Sequence, residues 1–367
     1  MRSEFPSRLK LEYARETRSF SKSSREEIES LLLDALSDEF PSGFNLAIVN
    51  HQGTLLRAWG GALNVVGDFT RTRRSSRYDL ASLTKVVSTT TLVLTFIQDN
   101  RWTLDQKISS ILPDFPRDDI TVHQLLTHTS GLIAHRPFFL NHRGPKAMKN
   151  AVYEESRTGS KPGDVLYSDL NFMLLGWALE ATSGHSLEQL FAREIAKPLK
   201  MRDTNFQPRS SDRQQMAATE LDGDQRLQPG LVWGEVHDGN AWAMGGVAGH
   251  AGLFAPVGDM GRFVRSFLAP AEHPILKAST IRLMTESREG SAPEERGLGW
   301  RLNPSDWGNW PEGTFWHTGF TGTSLLVSPA ADLGVVLLTN AIHPTRQMDR
   351  QAQFRAALHG AIARYRK

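Results

Sequence analysis

The sequence predicts a mixed α/β fold of the α+β kind: one antiparallel sheet built from both chain ends, flanked by helices, with a large, mostly helical lobe inserted between them. Three observations carry this. Strand-like segments occur near the start, over 44–59, and return after about residue 296. Between them, from Ser82 to Thr285, apolar residues recur mainly at helical spacing. The 367 residues contain no internal repeat, which suits one large unit with an insertion. The expected divisions are a tail over 1–20, a sheet part made of 21–80 and 290–367, and a helical lobe over 81–289, together one folded unit.

In chain order, residues 1–20 alternate charges and read as a poorly anchored terminus. A helix is expected from Ser21, with Ser24 as cap and Ile28, Leu31, Leu32 and Leu36 as its apolar face. Phe44–Asn50 reads as a strand, His51–Gly53 as a turn, and Thr54–Trp59 as the returning strand of a hairpin. Arg71–Arg77, with four arginines, reads as a solvated loop rather than an anion site. Tyr78–Leu80 is extended, and Ser82–Asn100 is the first helix of the lobe. Ile120–Leu126 is helical and closed by His128–Gly131; Leu170–Ala181 is helical and stopped by Ser183 and Gly184. Leu187–Ala196 precedes Pro198, and a glycine-rich segment, Ala243–Phe254, comes before helices at Met260–Leu268 and Ser279–Thr285. Strands are expected at Leu298–Leu302, Thr314–Thr318, Ser324–Ser328 and Leu333–Leu338, then an amphipathic helix from Gln347 to Tyr365.

Composition narrows the function classes. Lysine plus arginine number 42 against 40 acidic residues, so the charge balance gives no case for nucleic acid or an anionic membrane surface. The absence of cysteine excludes disulfides, thiolate metal sites and a cysteine nucleophile. No stretch approaches the ~20 apolar residues that span a bilayer. Met1–Phe20 lacks the apolar middle of a signal peptide, so the chain as written reads as cytoplasmic; a leader removed beforehand would place the protein in the periplasm or outside the cell. His123, His128, His135 and His142 fall close together but form no compact ligand set, so neither a metal nor another cofactor is expected. His250 reads as structural ahead of a place at the mouth of the site, and Trp233 and Trp242 as core ahead of flanking a cleft.

Three short stretches carry chemistry. Ser82-x-x-Lys85 puts a hydroxyl and an amine on one helix face, one turn apart, at a helix start whose unpaired N–H groups favour a developing negative charge. Lysine acts as a base only where its surroundings lower its pKa. Tyr167-Ser168-Asp169 sits at the polar approach to an apolar helix, where a phenol beside an ammonium can relay a proton. His317-Thr318-Gly319 closes a strand, with Gly319 leaving room along its edge.

In this order the three stretches resemble the motifs of the serine β-lactamase and penicillin-binding superfamily. The similarity is to the class C-like branch of β-lactamases, D,D-carboxypeptidases, D-aminopeptidases and esterases. Leu125–Leu132 resembles the segment between that branch's first and second motifs, and Val236-His237-Asp238 with Gly245–Phe254 is similar to penicillin-binding-protein-4B-like members. The resemblance implies Ser82 as the acylated nucleophile and Lys85 with Tyr167 as proton carriers. It also implies an oxyanion hole from the N–H groups of Ser82 and Phe320, and Thr318 as a holder of substrate. Covalent capture of a β-lactam by the same serine follows from it.

Two positions depart from the branch. Asp169 stands where asparagine is usual; an ionised carboxylate only accepts hydrogen bonds, and it can pair with Lys85 and keep it charged. His317 stands where β-lactamases and most carboxypeptidases carry lysine, which weakens recognition of a substrate carboxylate. The expected function is a serine hydrolase acting on a small-molecule or peptide substrate, foremost a D-amino-acid peptide of the D,D-carboxypeptidase or D-aminopeptidase type. A carboxylesterase and a non-catalytic penicillin-binding sensor are the rivals.

Overall fold

The computed structural model describes residues 9–13, 22–222, 230–286 and 295–364. The first part runs β1 (Lys10–Tyr13), α1 (Lys22–Ser37), β2 (Gly43–Val49), β3 (Thr54–Asn64), β4 (Thr70–Arg71) and β5 (Arg77–Asp79). The lobe follows with α2 (Thr91–Gln98), α3 (Val122–Thr127), α4 (Pro145–Ser156), α5 (Asp169–Ser183), α6 (Leu187–Phe191), β6 (Asn205–Phe206), α7 (Gly239–Ala243), β7 (Leu253–Pro256), α8 (Val257–Ser266) and α9 (Ala278–Thr285). The chain then returns through β8 (Arg301–Leu302), β9 (Phe315–Thr318), β10 (Ser324–Ser328), β11 (Leu333–Thr339) and α10 (Met348–Ala363).

The main sheet has the order β1-β3-β2-β11-β10-β9-β8, with β4 paired to β3 and every pairing antiparallel. The two chain ends meet at β2 and β11, from Gly334 opposite Val49 to Thr339 opposite Phe44. Both strands are apolar on both faces, as a sheet covered on both sides requires. Phe44, Leu46 and Ile48 of β2 and Val335 and Leu337 of β11 pack with Ile28, Leu32 and Leu36 of α1 and Leu358 and Ile362 of α10. Ala47, Val49, Val336 and Leu338 turn the other way, into the core shared with α8 and the lobe. Each such side chain contributes about 1.5–3 kcal/mol on burial, so the register of the central strands is strongly specified.

Several expectations change. Residues 10–13 are not loose: Leu11 and Tyr13 pack beneath the sheet while Lys10 and Glu12 are exposed, an alternation too short to stand out in sequence. The first lobe helix is not uniform. Lys85–Thr90 is a π-helical stretch, and Thr91 Oγ1 donates to Val86 O at 2.9 Å, a side chain competing for the backbone of that widened turn. A second sheet, β5-β7-β6, was not expected in the lobe, nor was α4. The strand at 298–302 shrinks to Arg301–Leu302. Arg77 is not solvated; it is buried, bonded to Asn205 and 3.5 Å from Asp212. The boundary expected at 290, Ser21 and the helix end at Tyr365 lie outside the described residues.

Candidate active site

Ser82 sits on the turn between β5 and the π-helical stretch, and the residues around it hold that turn in a strained shape. Ala81 has φ 47°, which a side chain with Cβ rarely adopts. Asp79 supports it: Oδ1 accepts the Ala81 N–H at 2.8 Å, and Oδ2 accepts the N–H of His237 at 2.7 Å. The turn after β9 is tied to the same place. Thr321 Oγ1 donates to Asp79 O at 2.8 Å and Thr323 Oγ1 to Leu80 O at 3.2 Å. Gly319 is required here, because a Cβ would stand 2.1 Å from Thr323 Oγ1 and 2.5 Å from Leu80 O. Its space is filled by the serine's own loop. The N–H groups of Ser82 and Phe320 donate to no protein acceptor among the described residues.

Lys85 is completely buried, with its ammonium 2.9 Å from Ser82 Oγ, 2.8 Å from Asp169 Oδ1 and 3.2 Å from the carbonyl of His250. It also lies 5.0 Å from the centre of the Tyr167 ring. Burial alone would push its pKa down, but Asp169 and then Tyr167 push it up and prevail, so Lys85 is a cation. Burial likewise opposes ionisation of Asp169; Lys85 foremost, with His135 at 3.2 Å from Oδ2, holds that carboxyl far below the usual range. The pairing of Asp169 with Lys85 is thus in place.

Tyr167 is positioned by the end of α3. His128 closes that helix in the left-handed conformation, φ 60°, and its buried ring lies 4.5 Å from the Tyr167 ring. The carbonyl of His128 accepts the Leu166 N–H and its Nδ1 accepts the Ser168 N–H, at 2.9 and 3.0 Å. Ser168 Oγ adds a bond to Ile133 O at 2.6 Å. Burial first, then Arg296 and Lys85, keep the His128 imidazole neutral.

A cavity of about 300 Å³ opens in front of these groups. Ser82, Tyr167, Asp169 and Phe320 line it, with His135, His237, Asp238, His250 and Arg346. His317, Thr318 and Gly319 lie outside that lining. His317 is buried behind Tyr167, ring centres 6.0 Å apart, and its Nδ1 faces Thr318 O at 2.8 Å. Burial, then Arg301 and Lys85, hold it neutral. The sequence reading gave no role to Asp79, His128, Asp238 or Arg346. For His128 and Asp238 the sequence signal lies in the segments 125–132 and 236–238, whose likeness to the class C-like branch assigns them no function; Asp79 and Arg346 lie outside both. Among the described residues no group of histidine and acidic side chains could hold a metal, and no helix is long and apolar enough to cross a membrane.

Residues 33–359 match the sequence profile of the β-lactamase family. A protein of Escherichia coli K12 named "Putative D-alanyl-D-alanine carboxypeptidase" is 30% identical over 350 residues, covering 83% of this chain and 79% of that one. Among solved structures, an octameric penicillin-binding protein homologue from Pyrococcus abyssi superimposes with a TM-score of 0.70 at 21% identity, over 86% of this chain and 73% of the other. EstCE1, described as a hydrolase with promiscuous acyltransferase activity, does so at 0.74 and 20%, over 93% and 99%. The chain belongs to the β-lactamase family. It is a serine hydrolase of the β-lactamase fold.

Proposed function

We propose that the protein acts through an acyl-enzyme on Ser82 and hydrolyses an amide bond of a D-amino-acid peptide. One observation carries the chemistry: Ser82 Oγ stands 2.9 Å from a buried lysine whose other partners, Asp169 and Tyr167, line the same cavity. Attack of Ser82 Oγ on the carbonyl carbon forms the C–O bond and moves the carbonyl electrons to oxygen. The free N–H groups of Ser82 and Phe320 receive that oxygen; one such donor is worth about 10²–10³ in rate. Lys85, already protonated, cannot take the serine proton. Tyr167 accepts it while passing its own hydroxyl proton to the leaving nitrogen, a concerted relay beside the ammonium. The oxyanion's electrons then return to rebuild the carbonyl, the C–N bond breaks, and the neutral amine departs, leaving an ester on Ser82. Water then attacks the ester carbonyl by the reverse path and frees Ser82.

The amide reading rests on relatives named as carboxypeptidases. A carboxylesterase is the second reading, and His317 favours it: a buried, neutral imidazole gives a substrate carboxylate no fixed cation at the third motif. A turnover panel of D-Ala-D-Ala peptides, D-amino-acid amides, short nitrophenyl esters and a chromogenic cephalosporin separates them. Peptide or amide turnover that vanishes in Ser82→Ala supports the first reading, and ester turnover alone supports the second. A covalent penicillin adduct without product release from any substrate would mark a sensor. Undiminished turnover in Ser82→Ala overturns the nucleophile.

A further inference from the structure

The turn that carries Phe320 is held by two parts of the molecule. The serine turn holds it through Thr321 and Thr323, which donate to Asp79 O and Leu80 O. The second holder is α10, which brings Gln351 and Arg355, four residues apart and so on one helix face. Gln351 Nε2 donates to Phe320 O at 3.2 Å. Arg355 Nη2 donates to Gly319 O and to Thr323 O, each at 3.3 Å.

Gly319 O and the Phe320 N–H belong to one peptide unit. That unit is planar and trans, so its C=O and N–H point in opposite directions. A donor on Gly319 O therefore stands behind the Phe320 N–H and fixes the plane in which it lies. It also polarises the amide, because a carbonyl that accepts a hydrogen bond makes its own N–H a stronger donor. The Gly322 N–H reaches the same carbonyl at 3.1 Å, but it is neutral. At the other oxyanion donor, Ser82, the corresponding carbonyl of Ala81 accepts the neutral Thr84 N–H at 3.0 Å.

Closing the turn does not require a cation. Arg355 is part-buried, reaches no carboxylate among the described residues, and leaves its Nε without a partner. Burial, then Arg301, bring its pKa down to about 10, so the guanidinium stays charged at neutral pH. A desolvated cation with no counter-ion is a costly brace. Behind a peptide whose N–H receives a developing negative charge, the same cation is useful, because fixed positive charge there lowers the energy of the oxyanion.

We propose that Arg355 is a positioning residue of the oxyanion hole: from α10 it aims and polarises the Phe320 N–H through Gly319 O, while Gln351 fixes the next carbonyl. The inference rests on the acyl-enzyme reading and adds to it a residue outside the cavity lining.

The test reads two quantities in the wild type and in Arg355→Met, Arg355→Gln and Arg355→Lys. One is kcat/KM for 4-nitrophenyl acetate, a small neutral ester. The other is the inhibition constant of phenylboronic acid, whose boron takes the Ser82 oxygen as the serine proton leaves to solvent; the tetrahedral anion then offers an oxygen to the hole. The methionine and glutamine variants should lose about 10- to 100-fold in kcat/KM, short of the roughly 10²–10³ for deleting a donor outright. Phenylboronic acid should weaken by a similar factor. Arg355→Lys, which keeps a cation on a long stem, should recover most of both. A methionine variant within about twofold of the wild type overturns the proposal. So does a rate loss that leaves boronic-acid affinity unchanged, or a lysine variant as impaired as the methionine one. Failure of both the methionine and glutamine variants to fold would assign Arg355 to stability and overturn it too. A wild type that neither turns over the ester nor binds the boronic acid falls on the acyl-enzyme reading instead.

Discussion

A buried histidine on one face of the main sheet and a buried lysine on the other answer burial in opposite ways. On the face covered by α1 and α10, His359 is fully buried, its Nε2 3.0 Å from Ser324 Oγ and its ring stacked 4.2 Å from Trp307. Burial, helped by Arg355, pushes its pKa down to about 3, and the ring is neutral. On the lobe face, Lys85 is just as buried and keeps its charge, because Asp169 stands 2.8 Å away. The neutral imidazole persists with one hydroxyl and an aromatic face as its neighbours and no partner at Nδ1 among the described residues. A buried ammonium needs a counter-charge, and here the counter-charge also borders a cavity. Burial alone therefore does not mark a site; a buried charge whose partner opens on a cavity does.

The largest effect should come from unpairing that charge. Lys85→Met leaves Asp169 without its cation, and unfolding free energy from chemical denaturation should fall by about 3–5 kcal/mol, with turnover lost. Asp169→Asn removes the main upward push on Lys85, so the limb of the kcat/KM profile set by Lys85 should move to lower pH; an unmoved limb would show that the pair does not govern the lysine. Gly319→Ala should cost about 1–3 kcal/mol through overpacking and depress turnover further, since the clash falls on Leu80 O and Thr323 beside the serine turn.

His359 gives a pH test on the opposite face. Its pKa is near 6.5 unfolded and about 3 folded, so the unfolded chain binds more protons between those values. Its contribution is fully present above pH 6.5 and lost as pH falls toward 3, at up to about 1.4 kcal/mol per unit. Denaturation at pH 7 and pH 5 should show a shallower loss in His359→Gln than in the wild type. The smallest effect belongs to Gly53→Ala in the exposed β2–β3 turn, where a Cβ meets nothing within 4 Å: stability should move by no more than about 0.5 kcal/mol.

What could be read from sequence follows the range of the contacts. Ser82 and Lys85 are three residues apart, and β2, β10 and β11 carry mostly apolar runs, broken in β2 by Asn45, so local spacing reveals both. The pairing of Asp169 with Lys85 follows in sequence from an acid standing where the resembled branch has asparagine, and the two groups lie 2.8 Å apart. The grip of His128 on Tyr167 and of Asp79 on Ala81 and His237 depends on backbone conformation and on partners up to 158 residues away, which no periodicity encodes. The π-helical stretch has the apolar spacing of an ordinary helix; a threonine bonding back to Val86 O distinguishes it.

The account stands or falls on covalent chemistry at one hydroxyl. Incubation with a nitrophenyl ester, an acid quench, and mass analysis of the intact protein and its peptides measure it directly. A single acyl group on the peptide that contains Ser82, absent from Ser82→Ala, is the expected result. An acyl group on another residue, or equal labelling of the alanine variant, would contradict it.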